Sequence, residues 1–195
     1  MKFIFATQNQ NKVKEVSKIL DNKEAILISL AEIGYTDDIA ETGTTLNENA
    51  WIKADTIHTT LGGNVIAEDT GLEVTAIDMA PGVYSARYAG PQKNDQDNIN
   101  KLLDTLKDKE DRSARFRTVV AVWLDGERHT FEGIVNGTIA HERMGTGGFG
   151  YDPVFIPEGH DQSFGILSAK IKNSISHRGR AFTAVKEFLA KISES

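Results

Sequence analysis

The sequence predicts a mixed α/β fold, on three observations. Its N-terminal half alternates short apolar strands with amphipathic helical stretches. Two long β-rich runs, 115–124 and 128–140, then flank an Asp125-Gly126 pair of hairpin type. The chain closes on a further helical stretch. Alternation followed by a hairpin argues for a mixed sheet rather than a purely parallel one.

Each element has a local reason. Residues 3–6 form a short apolar strand. A helix follows from about Asn9, with Val13, Val16, Ile19 and Leu20 on one face. Residues 25–30 read as a second strand. The stretch 31–43 is polar, carries Asp37, Asp38 and Glu41, and reads as loop. Thr45-Leu46-Asn47-Glu48 is a capping box, in which the Thr hydroxyl takes the N3 amide and Glu48 reaches back. The helix it opens lines up Leu46, Ala50, Ala54, Ile57 and Leu61, and Gly62-Gly63 ends it. Residues 65–67 are an apolar strand that runs into Glu68-Asp69-Thr70-Gly71 and resumes over 72–77. Pro81-Gly82 and Gly90-Pro91 bracket a loop. Residues 97–106 have helical spacing through Ile99, Leu102, Leu103 and Leu106. A glycine-dense loop covers 145–150. The last helix, from about Arg180, turns Ala181, Phe182, Val185, Phe188, Leu189 and Ile192 inward.

Bulk properties narrow the function. A chain of 195 residues without repeats or linkers suits one domain, residues 1–195, and buries a core without staples. Its 39% hydrophobic and 26% charged residues are ordinary for a globular protein. Without cysteine there is no disulfide and no thiolate metal site. The N-terminal apolar run is too short for a secretory leader. No stretch nears the ~20 apolar residues of a membrane helix. A cytoplasmic protein with no membrane partner is expected. A net charge of −6 argues against nucleic acid, whose binding draws on a basic face. A small anion remains compatible, because local lysines, amides and a metal can bind phosphate on an acidic protein.

Five segments carry chemistry. Thr7-Gln8-Asn9-Gln10-Asn11-Lys12 joins the first strand to the first helix, where free amides and the helix dipole favour an anion. Capping by Asn9 with a solvated lysine is the competing reading. Glu68-Asp69, at the end of an apolar strand, offers the oxygen ligands that Mg²⁺ takes. Adjacent strand residues point to opposite faces, so one of the two enters a site directly unless Gly71 marks an irregularity. Glu41 is a second candidate ligand, and Asn49 and Lys53 share a helix face. In Gly145-Thr146-Gly147-Gly148-Phe149-Gly150-Tyr151-Asp152-Pro153 an aromatic sits among glycines, as a platform for a base or as a hairpin plug. Ser176-His177-Arg178 sets donors at the start of the last helix. Together these point to a nucleotide site.

The same segments resemble the inosine triphosphate pyrophosphatase family, the house-cleaning purine NTP pyrophosphatases. The resemblance rests on Ala6-Thr7-Gln8-Asn9 with Lys12 and Glu15, and on Glu41-Thr42-Gly43 with Glu48-Asn49-Ala50 and Lys53-Ala54. It continues through Ala67-Glu68-Asp69-Thr70-Gly71-Leu72 and Ala80-Pro81-Gly82-Val83-Tyr84-Ser85-Ala86-Arg87-Tyr88. It ends with Gly147-Gly148-Phe149-Gly150-Tyr151-Asp152-Pro153, Lys172 and Ser176-His177-Arg178, and so spans nearly the whole chain in order. Some positions depart from the family. The commonest bacterial form has two aspartates where this chain has Glu68-Asp69, and glycine is usual at Gln8. Lys170 and Ile171 precede Lys172 where acids are frequent, and Ser163-Phe164-Gly165-Ile166 lacks a frequent acid.

The resemblance implies an elongated two-lobed α/β fold around a twisted mixed sheet, with the active site in the cleft between lobes, and a homodimer. It implies hydrolysis of ITP, dITP and XTP to the monophosphate and pyrophosphate with Mg²⁺. Thr7, Gln8, Asn9, Gln10, Asn11, Lys12, Lys53 and Lys172 would hold phosphates, with Thr70 also at the substrate. Phe149, with Gly150 and Tyr151, would take the base, and Asp152, His177 and Arg178 its edge. Glu41 and Asp69 would serve the metal. Asp69 would also take the proton of the attacking water, with Lys53 and Glu68 as the other catalytic residues. Arg178 only donates, so at the 6-position it would favour a keto purine over adenine. The alternatives are a pyrophosphatase for other modified nucleotides and a non-catalytic nucleotide-binding protein.

Overall fold

The structure, a computed structural model, describes residues 1–20 and 25–193. Among the described residues seven strands form one mixed sheet, and the chain divides into two compact units. The first comprises Met1–Asp69, Thr118–Gly133 and the segment from His177 onward; the second comprises Thr70–Arg117 and Ile134–Ser176.

In the first unit β1 (Lys2–Phe5) pairs in parallel with β2 (Ile26–Ser29), Lys2 opposite Ile26, and with β3 (Val65–Val74), Phe5 opposite Ile66. The helix α1 (Gln10–Leu20) lies between β1 and β2 in the chain. Asn9 caps it, its Oδ1 accepting the amides of Asn11 at 2.9 Å and Lys12 at 3.3 Å. The capping box of α2 (Leu46–Leu61) forms as expected, with Thr45 and Glu48 bonded reciprocally. Gly62 ends that helix. The core joins Phe3, Phe5, Val16, Leu20 and Ile66 to Val120, Val122, Phe182, Val185 and Leu189. Phe5 meets Phe182 edge-on, with ring centres 5.9 Å apart. The last helix, α5 (His177–Ser193), starts three residues earlier than its apolar pattern suggests.

The second unit takes up the chain from Thr70. Two long strands, β5 (Ser113–Leu124) and β6 (Glu127–Ile139), meet at Asp125-Gly126, whose φ values of 49° and 85° make the expected tight turn. Both strands cross from one unit to the other along the chain. The helix α3 (Asp95–Thr105) is capped by Asn94, whose side chain accepts from Gln96 and Asp97. The core of this unit gathers Leu72, Val74, Ile99, Leu102, Phe116, Tyr151, Phe155 and Phe164.

Several local expectations need correction. The strand carrying Glu68 and Asp69 is unbroken through Gly71, because β4 (Pro81–Gly82) pairs with it, Leu72 opposite Gly82. Pro81-Gly82, read as one bracket of a loop, is thus a short strand. Thr75–Ile77 is a 3₁₀ turn rather than strand, closed by Asp78 in the left-handed region. Among the described strands and α-helices, two short elements have no counterpart in the sequence reading. They are β7 (Phe155–Pro157), antiparallel to β6, and α4 (Ala169–Ile175), capped by Ser168. Each is too short for its periodicity to stand out.

Candidate active site

The unbroken strand β3 decides how its two acids are used. Side chains alternate along a strand, so Glu68 and Asp69 face opposite ways. Ile66 and Glu68 share the face that meets α1 and α5; Asp69 faces α2.

On the α2 face, Lys53 Nζ lies 2.6 Å from Glu41 Oε1 and 3.0 Å from Asp69 Oδ1. Burial pulls the lysine's pKa down, but the two carboxylates outweigh it and hold it above its ordinary value. Burial pushes Asp69 up, against the pull of Lys53 and Lys12. Its second oxygen, Oδ2, is buried and has no hydrogen-bond partner. A buried acceptor left without a partner is costly and uncommon. It suits a ligand that brings its own positive charge. Among the described residues no group of three or more His, Asp or Glu stands together to hold a metal. Mg²⁺ is commonly bound by one or two carboxylates plus phosphate oxygens and water, so Asp69 with Glu41 fits that ion.

On the opposite face, Arg178 of α5 donates through Nε to both oxygens of Glu68, at 2.9 and 3.1 Å. Its Nη1 donates to Glu15 at 2.8 Å. Lys12 lies 3.5 Å from the same Glu68 carboxylate. Burial opposes ionisation of Glu68, yet Arg178 and Lys12 prevail and hold its pKa at about 2. A carboxylate so deeply ionised is a poor proton acceptor. Glu68, expected among the catalytic groups, is a buried anchor for two cations. A base contact by Arg178 would have to use donors other than Nε and Nη1. His177, the first residue of α5, is buried beside it.

The strand-to-helix turn uses part of its polar groups on its own structure. Asn9 spends its Oδ1 on the cap, and Thr7 Oγ1 accepts the Asn9 amide at 3.2 Å. Gln8 donates its side-chain amide to the carbonyls of Asp37 at 2.9 Å and Thr36 at 3.3 Å, tying the turn to the loop that carries Glu41. Gln10 and Asn11 are exposed, and Lys12 is half-buried.

The aromatic element belongs to the second unit. Phe149 is half-buried, and its amide donates to Asp152 Oδ2 at 2.8 Å. The same oxygen accepts Lys172 Nζ at 2.6 Å, and that ammonium lies 4.9 Å from the Phe149 ring centre. Gly148 has φ 73°, and a Cβ there would fall 2.1 Å from Asp152 Oδ2, so glycine is required. The Gly150 amide donates to Asp95 and the Tyr151 hydroxyl to the Ser85 carbonyl, both at 2.7 Å. Thr70, half-buried, starts this unit. Lys172, read from the resemblance as a phosphate ligand, is here the buried partner of Asp152 beside the aromatic ring.

Sequence reasoning named Glu15 and Asn49 without giving them these partners, and passed over Asp95. Glu15 had a signal, since it stands three residues after Lys12 on one helix face. Asp95 had none.

This constellation can be set beside known proteins. The Ham1 family matches residues 3–188. The chain belongs to the Ham1 family. A dITP/XTP pyrophosphatase from Christiangramia forsetii is 50% identical over 191 residues, covering 98% of this chain and all of that protein. Another from Bacillus subtilis is 48% identical over 189 residues, covering 95% of this chain and 96% of that protein. The Ham1 protein of Staphylococcus aureus superimposes with a TM-score of 0.89 at 39% identity, over 98% of this chain and 100% of that one. The mixed α/β architecture is therefore that of solved Ham1 proteins. No helix among the described residues is long and apolar enough to cross a membrane.

Proposed function

We propose that this chain hydrolyses non-standard purine nucleoside triphosphates (dITP, XTP and ITP) to the monophosphate and pyrophosphate. The observation that carries the reading is Lys53 held between Glu41 and Asp69, with Asp69 Oδ2 buried and unpartnered. The names of relatives half identical over nearly the whole chain support it.

Water attacks the α-phosphorus. The bond to the bridging oxygen breaks, and pyrophosphate leaves with the electron pair. Asp69 accepts the proton of the water, a task suited to a carboxylate whose pKa burial has raised. Lys53 fixes the orientation of Asp69 and Glu41 and limits their mutual repulsion. Lys12, oriented by Glu68, presents a positive charge at the start of α1, where the helix dipole adds to it. Glu41 and Asp69 would hold Mg²⁺, which when bound offsets phosphate charge and orients the leaving group. Phe149 stacks on the base, and Asp152 with Lys172 stiffens the loop that presents it. We read the assembly as a homodimer and the location as cytoplasmic, in line with the resemblance and the lack of cysteine.

A pyrophosphate-release assay over ITP, XTP, dITP, GTP, ATP and dTTP, with and without Mg²⁺, tests the proposal. Release from the three non-standard purines, dependent on Mg²⁺, is expected. Absence of release from all six would refute it.

A further inference from the structure

We propose that Asn49 is a positioning residue that sets Glu41 beside Lys53 and Asp69 by gripping the backbone of Gly43. The inference rests on reading Glu41 and Asp69 as the acidic pair of the site.

The loop before α2 carries Glu41 two residues ahead of Gly43. Three successive amides of this loop are taken by two side chains from the first turn of α2. The Gly43 amide donates to Asn49 Oδ1 at 2.8 Å. The amides of Thr44 and Thr45 donate to Glu48 Oε2 at 2.7 and 3.0 Å. Lys53, which receives Glu41, lies one helical turn beyond Asn49 on the same face. Helix α2 therefore fixes both the loop that bears Glu41 and the ammonium that Glu41 meets.

Two details single out Asn49 from ordinary capping. It is fully buried, and its Nδ2 is a buried donor with no hydrogen-bond partner. The Gly43 amide needs an acceptor, so the side-chain amide cannot turn round to relieve that donor. Packing alone would be served by leucine, with no orphaned donor. The acceptor is what the site uses. Gly43 completes the fit, since a Cβ there would lie 2.7 Å from Asn49 Oδ1 and 2.6 Å from Glu48 Cβ. At the other side of Glu41, Gln8 grips the carbonyls of Thr36 and Asp37. The segment carrying the acid is thus held on both sides.

The test compares Asn49→Leu, Asn49→Asp and Gly43→Ala in the full chain. Readouts are hydrogen exchange of the Gly43 amide, kcat, KM and the Mg²⁺ concentration for half-maximal rate. Asn49→Leu should expose the Gly43 amide and lower kcat on the order of 10²-fold, as for a misplaced catalytic group. It should also raise the Mg²⁺ requirement, with KM for nucleotide little changed. Asn49→Asp keeps an acceptor and should keep the protection and most of kcat. Gly43→Ala should reproduce Asn49→Leu, and the double variant should be no worse than the poorer single. Wild-type kcat and Mg²⁺ dependence in Asn49→Leu or in Gly43→Ala overturn the proposal. So does lost activity with Gly43 protection intact. If Asn49→Leu does not fold, Gly43→Ala decides. If the wild-type chain releases no pyrophosphate, the proposed function falls, while Gly43 exchange still decides whether Asn49 holds the loop.

Discussion

Arg178 Nε stands within 3.1 Å of both oxygens of Glu68, a contact between groups 110 residues apart in the chain. Both side chains are almost wholly shielded from water, at 2% and 0% exposure. Removing one member of a buried pair costs about 3–5 kcal/mol. Glu68→Gln should fall near the low end, about 3 kcal/mol, because Arg178 keeps Glu15. Urea denaturation of the metal-free protein measures it. The double variant Glu68→Gln/Arg178→Met should be less destabilised than the sum of the singles. A loss under about 1 kcal/mol in Glu68→Gln would show that this pair is not a structural anchor.

The same pair sets a pH dependence. Glu68 is held at about 2 in the folded state, below its ordinary value of 4.5. A carboxylate with a depressed folded pKa stabilises the fold above its unfolded pKa. That contribution is lost as the pH falls through the folded value. Glu68 should therefore contribute fully at pH 6 and progressively less from about pH 4.5 down towards 2. Denaturation of wild type and Glu68→Gln at pH 6, 4 and 3 should show the gap between them narrowing. A constant gap would mean that Glu68 does not change its proton affinity on folding.

Asp69 behaves in the opposite sense. Its raised pKa means that folding opposes the charged form, so a neutral isostere relieves a cost. Asp69→Asn should leave thermal stability unchanged or slightly higher while kcat falls by about 10²–10⁴-fold. Thermal melts with pyrophosphate release on the same preparation separate the two effects. Near-normal kcat would remove Asp69 as the proton acceptor.

Local chemistry made much of this legible in the sequence. The Thr45 and Glu48 capping box fixed the start of α2, and with it the face that carries Lys53. Period-two alternation told that one of Glu68 and Asp69 would enter a site directly unless Gly71 interrupted the strand. What could not be read was pairing over distance. Nothing local links Glu68 to Arg178, or marks Lys172 as a partner of Asp152. Gln8 illustrates the same limit: its position in a phosphate-friendly turn is plain, but its grip on the Thr36 and Asp37 carbonyls follows only from the fold. The short elements β7 and α4 were missed because three and seven residues give too little periodicity.

The cap itself gives a clean structural control. Thr45→Ala removes the acceptor for the Glu48 amide at 3.1 Å but leaves Glu48 free to hold the Thr44 and Thr45 amides. Loss of such a cap costs about 1 kcal/mol. The variant should melt earlier yet keep kcat, since Asn49, Lys53 and Asp69 are untouched. A large kcat loss at full stability would show that the first turn of α2 governs the site through Thr45 as well.

The aromatic loop predicts a split in kinetic effects. Phe149 presents its ring from a loop whose amide is held by Asp152, and Asp152 is in turn held by Lys172. Stacking on an aromatic is worth about 1–3 kcal/mol per base. Phe149→Ala should thus raise KM for dITP by roughly 5–150-fold with a smaller change in kcat. Asp152→Asn keeps an oxygen for the Phe149 amide but weakens the hold on Lys172, so it should raise KM by less than the loss of the ring. Steady-state kinetics on both variants check the order. An unchanged KM in Phe149→Ala would mean that the base is bound without this ring. A greater KM effect from Asp152→Asn than from Phe149→Ala would mean that Asp152 acts on the base directly and not through the loop.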